Sequence, residues 1–263
     1  MALFDIFKKK QTIADNEEGK TLLAFAMFNN GNRYDLNTVI EHFTTFWGLD
    51  ITDTLGDNTT AVFNINGERV ALAYMPVPIP WSDIKHAAQY AYNWTNAEKD
   101  LESHDGHAIV TVMSATKETI DRFKILSKLL CSILMTSNCI GVYNGNGSFL
   151  ISTEQYLENA EYLKEGDPVV PLWVYIGLRE SDVGNSAYTN GLAAFKKQEM
   201  EIIDSKLELV EVYKFLLIVT SDVISENVTF NDGDFVGFTE DKLIKITSSE
   251  GRFVKGQSLK LEV

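Results

Sequence analysis

The chain has 263 residues, 45% of them hydrophobic and 11% aromatic, which is enough to bury a full core and too apolar for a disordered chain. Its formal charge of −14 repels a nucleic-acid backbone, and the one basic cluster, Lys8-Lys9-Lys10, sits near the start, so nucleic acid is excluded as a partner. No apolar run approaches the ~20 residues of a membrane span, no secretory leader pattern opens the chain, and Cys131 and Cys139 read as buried free thiols. The expected location is the cytoplasm.

Residues 1–20 read as a terminal segment and tether. Leu3, Phe4, Ile6 and Phe7 precede the three lysines, a pattern that also allows a small membrane-surface anchor, the reading that would make this a peripheral adaptor. Thr21 to Phe28 reads as a buried strand, followed by a turn at Asn29-Asn30-Gly31-Asn32. Asp35 is placed to cap a helix carrying Leu36, Val39, Ile40, Phe43, Phe46 and Trp47 at helical spacing. Two alternating runs flank Asn66-Gly67, the signature of a hairpin with a type I′ turn.

Pro76, Pro78 and Pro80 impose an extended connection, after which Ser82 is placed to cap a helix running through Trp94. His107 to Met113 reads as a strand, and Thr116 as the start of a long apolar helix. A second hairpin turns on Asn144-Gly145-Asn146-Gly147, and Ser152 with Gln155 has the spacing of a capping box. Gly166-Asp167-Pro168 marks a boundary. Beyond it we expect strands at Pro171–Leu178 and Leu192–Ile203, then a helix opened by a Ser205/Glu208 box, then strands near Leu243–Ile246 and Leu259–Val263. The fold expected is α+β, with a ferredoxin-like split βαβ lobe over residues 21–165 and a second α+β lobe over 166–263 packed against it.

Chemistry-bearing residues are few. His104 and His107 form the one close histidine pair and are the candidate metal ligands, although Gly106 between them suits a tight turn better. Glu199 and Glu201 alternate with Met200 and Ile202, so on a strand both carboxylates share one face. Such a pair either binds a ligand or forms a solvated face. Asn144 to Gly147 is followed by a strand instead of a helix, which excludes a phosphate-cradling loop. Trp47, Trp81, Trp94 and Trp173 read as core or seam residues.

Several segments resemble a bacterial family known as domain of unknown function 4261. They are Val70 to Pro80, Trp94, His107 to Val110, Gly141 to Tyr143, Pro171 to Val174, Thr189 to Leu192 with Phe195, Glu199 to Ile202, and Asp232 to Asp234. Lys196 departs from the glycine that the family carries after the phenylalanine. The C-terminal lobe is also similar to suppressor-of-fused-like domains, some of which are immunity proteins. The candidate ligand-binding residues are Thr189, Gly191, Phe195, Glu199 and Glu201; the resemblance brings no established reaction, cofactor or catalytic residue with it. The reading that follows is a non-enzymatic module binding a basic protein partner. The competing reading is a metal-assisted hydrolase or small-ligand enzyme built from Glu199, Glu201, His104 and His107.

Overall fold

The structure, a computed structural model, describes residues 21–113, 116–239 and 241–263; the expected terminal segment and tether, residues 1–20, lie outside these. The chain is α+β with two sheets. The first sheet holds β1 (Leu22–Asn29), β2 (Ile51–Gly56), β3 (Thr60–Ile65), β4 (Glu68–Met75), β5 (His104–Val112), β6 (Cys139–Asn144) and β7 (Phe149–Ser152), in the order β2-β3-β4-β5-β1-β6-β7. Every pairing in it is antiparallel.

That order corrects the ferredoxin-like expectation. A split βαβ unit places its first strand beside and parallel to its third. Here β5 takes that place, pairing with β4 from Val70↔Val112 to Met75↔His107 and with β1 on its other edge. The chain between β4 and β5 is extended at the prolines and then forms only two short helices, α2 (Trp81–Ala88) and α3 (Ala97–Leu101). It returns β5 to the edge next to β4. The far edge of β1 is filled by β6, whose hairpin with β7 extends the sheet. β2 was not anticipated: five of its six residues are exposed, so no apolar alternation announces it.

β1 lies in the interior of the sheet and is apolar on both faces. Leu22, Ala24, Ala26 and Phe28 face one buried cluster, with α1 (Leu36–Trp47) and α4 (Thr119–Thr136); Phe25 and Met27 face another, with Ile79, Ile84, Ala87 and Leu101. Asp35 caps α1 as expected, its Oδ1 accepting the Thr38 N–H at 2.9 Å. The expected type I′ turn is present, with φ of 50° at Asn66 and 86° at Gly67. The helix placed after Ser82 instead starts at Trp81 and stops at Ala88. α4 starts three residues after Thr116, because the Thr116 and Lys117 N–H groups are both bound to the buried Glu68 carboxylate, at 2.9 and 2.7 Å. Two short helices, α5 (Thr153–Glu158) and α6 (Ala160–Glu165), then pack on α4. Ser152 caps the first of them through the Gln155 N–H.

The second sheet runs β11 (Phe235–Thr239), β12 (Lys242–Glu250), β13 (Gln257–Leu261), β10 (Met200–Ser205), β9 (Gly184–Asn190), β8 (Tyr175–Ser181). Only its β10–β13 pairing is parallel. α7 (Leu209–Ser225) packs on β8, β9 and β10. Its capping box is Glu208 with Glu211, three residues later than expected; the Ser205 hydroxyl accepts from Leu207 N–H instead. The expected strands at 171–178 and 192–203 each open with a 3₁₀ turn, Val170–Leu172 and Leu192–Phe195, before extending.

One buried cluster runs across residue 166, from Phe123 and Leu126 of α4 to Trp173, Met200 and Val212. Phe123, Trp173 and Phe195 stack at this junction, and Trp173 Nε1 donates to Ser127 Oγ at 2.8 Å. Among the described residues no helix is long and apolar enough to cross a membrane.

Candidate functional site

Three of the sequence-predicted residues converge. Glu199 Oε2 accepts the Thr189 hydroxyl at 2.6 Å, and Oε1 accepts the N–H of Gly191 at 2.9 Å and of Ala193 at 3.3 Å. The Thr189 hydroxyl in turn accepts the Met200 N–H at 2.8 Å. The carboxylate thus closes the loop between β9 and β10 around the 3₁₀ turn, using both of its oxygens internally. Gly191 has φ 131°, which favours glycine, and a Cβ there would lie 3.1 Å from the Trp173 carbonyl oxygen. Phe195 is seated on Phe123, ring centroids 4.8 Å apart, and belongs to the lobe junction. Lys196 ends the turn at φ 60°. That left-handed conformation is one that glycine adopts more readily than lysine.

Glu201 does not join them. Its side chain is fully buried and accepts from Phe253 N–H (2.6 Å), Arg252 N–H (3.1 Å) and Ser258 Oγ (2.5 Å), with Lys260 Nζ at 2.7 Å. Burial alone pushes this carboxyl up, but Lys260, Ser258 and the two backbone donors together hold it below the ordinary carboxylate range. The residue clamps the 251–256 loop onto the sheet. It is neither a solvated face nor a group with free lone pairs for a ligand.

The histidines open β5 in place of the expected turn. His104 Nδ1 donates to the Leu101 carbonyl at 2.6 Å, and His107 Nδ1 donates to the Val77 carbonyl at 2.9 Å. Burial lowers the His107 pKa, and its ring stands edge-on to Phe25. The two histidines lie in the first sheet and the two glutamates in or beside the second, and they share no hydrogen-bond partner. Among the described residues no group of three or more His, Cys, Asp and Glu side chains is arranged to hold a metal ion.

A crevice lies elsewhere, at the junction of the two sheets. It has a volume of about 380 Å³ and is walled by Tyr90, Tyr92 and Trp94 after α2, by Phe149 of β7, by Tyr175 and Leu178 of β8, and by Leu209, Val210, Tyr213 and Leu217 of α7. That volume lies within the usual range for binding pockets. Its aromatic wall is continuous: Tyr92 stacks on Tyr175, Phe149 packs against Tyr175, and Arg179 lies 4.7 Å over the Tyr90 ring. The Tyr92 and Tyr175 hydroxyls are both engaged. Tyr92 OH donates to Leu178 O at 3.0 Å and accepts from Leu178 N at 3.1 Å, closing a hydrogen-bonding position on the edge strand β8. Tyr175 OH donates to the Tyr90 carbonyl, and burial together with the Tyr92 hydroxyl holds its phenol far above the ordinary range.

Sequence reasoning marked Trp94 as a core or seam residue but missed the tyrosines. They come from three separate parts of the chain, the segment after α2, β8 and α7, and only the packing of the two sheets and α7 brings them together. Val210, on the crevice wall, and Ile218 of the same helix are 55% and 60% exposed, so α7 is apolar beyond the face it buries.

Fold and site define an α+β protein of two joined sheets with an aromatic crevice at their junction. Residues 188–262 match the model of a family described as a domain of unknown function (DUF4261), a segment that begins near the end of β9 and takes in β10 to β13 and α7. Neither the curated proteins nor the solved structures contain a match to the chain.

Proposed function

We propose that this is a non-enzymatic protein-binding module of bacterial origin, of the immunity or regulatory kind, that acts in the cytoplasm on a basic protein partner. The observation that carries the reading is the crevice together with the strip that extends it. A small-molecule pocket surrounds its ligand and presents a few convergent polar groups. This crevice instead is open along the exposed Val210, and its Tyr92 and Tyr175 hydroxyls are already bound to backbone. Clustered tyrosine and tryptophan side chains are the residues that dominate protein–protein binding energy. The formal charge of −14 favours encounter with a basic partner through long-range attraction.

The test is affinity capture from the source cells, followed by titration of the purified pair at increasing salt. The expected result is a stoichiometric basic partner whose association slows as salt rises. Tyr92→Ala and Val210→Asp should each weaken the complex at least ten-fold. Undiminished binding by both variants would remove the crevice from the interface, and capture of no stoichiometric partner would overturn the proposal.

A further inference from the structure

β5 pairs with β1 without a break from Leu22↔Val112 to Phe28↔Gly106, but Asn29 then pairs with His104, so Asp105 is the extra residue of a bulge. Side chains alternate along a strand, and residues directly opposite share a face. Three residues apart, His104 and His107 would point to opposite faces; the bulge returns His104 to the face of His107. Met27, paired with His107, lies on that face too, as does Phe25, whose ring His107 meets edge-on. Each imidazole is held in the same way. Nδ1 donates to a backbone carbonyl, Leu101 for His104 and Val77 for His107, which leaves Nε2 as a lone pair. The two rings are 5% and 4% exposed, and each is close enough to the other for the charge of His104 to lower the His107 pKa. His104 Nε2 is buried with no hydrogen-bond partner, a costly state for a polar atom. A carbonyl behind the far ring nitrogen is how metal-bound histidines are oriented.

We propose that His104 Nε2, His107 Nε2 and the Met27 thioether hold one Cu(I) ion. The donor set selects the metal. Zinc sites draw on Cys, His, Asp and Glu, and the neighbouring groups of those kinds are already used. Asp105 Oδ2 accepts the Gly31 N–H, while Cys139 is paired with Phe28, on the other face, and its thiol donates to the Met27 carbonyl. Two imidazoles and a thioether among apolar side chains remain, and such soft donors favour Cu(I) over harder ions. The ion lies under the 76–101 segment, whose Val77 and Leu101 carbonyls the two rings bind, and so ties β5 to the stretch that gives the crevice Tyr90, Tyr92 and Trp94. This site is separate from the binding function proposed above and does not depend on it.

The test is anaerobic titration of the full chain with Cu(I) against a chromogenic Cu(I) chelator. We expect one equivalent to bind. His104→Ala and His107→Ala should each weaken it about a hundred-fold, and Met27→Leu, which conserves volume, about ten-fold. His86→Ala, at an exposed position on α2, should change nothing. X-ray absorption by copper in the unmutated chain should show two nitrogen neighbours and one sulfur, a readout that does not require any variant to fold. Copper retained at full affinity by both histidine variants overturns the proposal, as does a chain that takes up no equivalent. Copper held by sulfur alone also overturns it, since the ligands are then Cys131 and Cys139, whose thiols are buried and pushed up to about 12. Zn(II) bound as tightly as Cu(I) would overturn the assignment of the ion.

Discussion

Replacing Glu201 with alanine tests whether this carboxylate is structural. The change removes the acceptor of four donors: the Arg252 and Phe253 N–H groups, the Ser258 hydroxyl and the Lys260 ammonium. A buried donor left without a partner costs about 1–3 kcal/mol, and breaking a buried ion pair about 3–5 kcal/mol. These costs do not add in full, because Lys260 retains some access to water and the 251–256 loop can lift off to solvate its own N–H groups. We therefore expect a loss of about 4 kcal/mol, which lowers Tm by roughly 8–16 °C in a chain of this size. Glu201→Gln keeps one acceptor oxygen and should lose about half as much. Urea denaturation measures the loss, and limited tryptic digestion locates it, because Arg252 and Lys255 lie in the clamped loop and should be cut faster in the variant. The carboxyl is held below its usual value, so its contribution is fully present above about pH 4.5 and is lost as pH falls through the folded value. The alanine variant should lack that part of the acid slope. A loss under about 1 kcal/mol with an unchanged digestion rate would refute the clamp.

Other substitutions probe the remaining features. Tyr92→Phe removes the hydroxyl bound to both Leu178 groups; it should cost about 1 kcal/mol in urea melts and increase aggregation by freeing part of the β8 edge, visible as light scattering. Lys196→Gly should stabilise by up to about 1 kcal/mol, since a lysine at φ 60° carries left-handed strain that glycine avoids, partly offset by glycine's greater freedom when unfolded. An unchanged or lower midpoint would show that the lysine side chain contributes more than its backbone costs. Burial lowers His107 below 6.5, so the unfolded chain takes up a proton that the folded chain refuses as pH drops. Stability should decline from pH 6.5 toward the folded value, and His107→Phe should flatten that segment of the profile.

Much of the fold was legible wherever a local rule suffices. Asp35 and Asn66-Gly67 act over three or four residues, and their cap and turn formed as read. The order of strands was not, because nothing in Leu22–Asn29 states that β5 and not β4 will lie beside it; that choice belongs to the whole sheet. β2 escaped because an exposed edge strand has no buried face to set a period. Helix starts slipped where a distant side chain intervened, as when Glu68 bound the Thr116 N–H group and delayed α4. The glutamate pair shows the same limit in the site. Alternation placed two carboxylates near each other in sequence, but only the tertiary structure reveals that Glu199 holds the 189–193 loop and Glu201 the 251–256 loop.

The family match and the crevice divide the molecule in different ways. The matched residues 188–262 contain both glutamates and the loops they hold, which make the second sheet a self-consistent scaffold. The crevice takes only its α7 wall from that segment; Tyr90 to Trp94, Phe149 and Tyr175 come from outside it. A surface assembled in this way can change its aromatic wall without disturbing the carboxylate clamps, because the two sets of contacts share no side chain. On the binding function proposed above, recognition can therefore vary on a constant frame. By the same logic, substitutions at Glu199 or Glu201 should act on stability first and on binding only through it, while those at Tyr92 or Val210 should alter binding by far more than the ~1 kcal/mol they cost in stability.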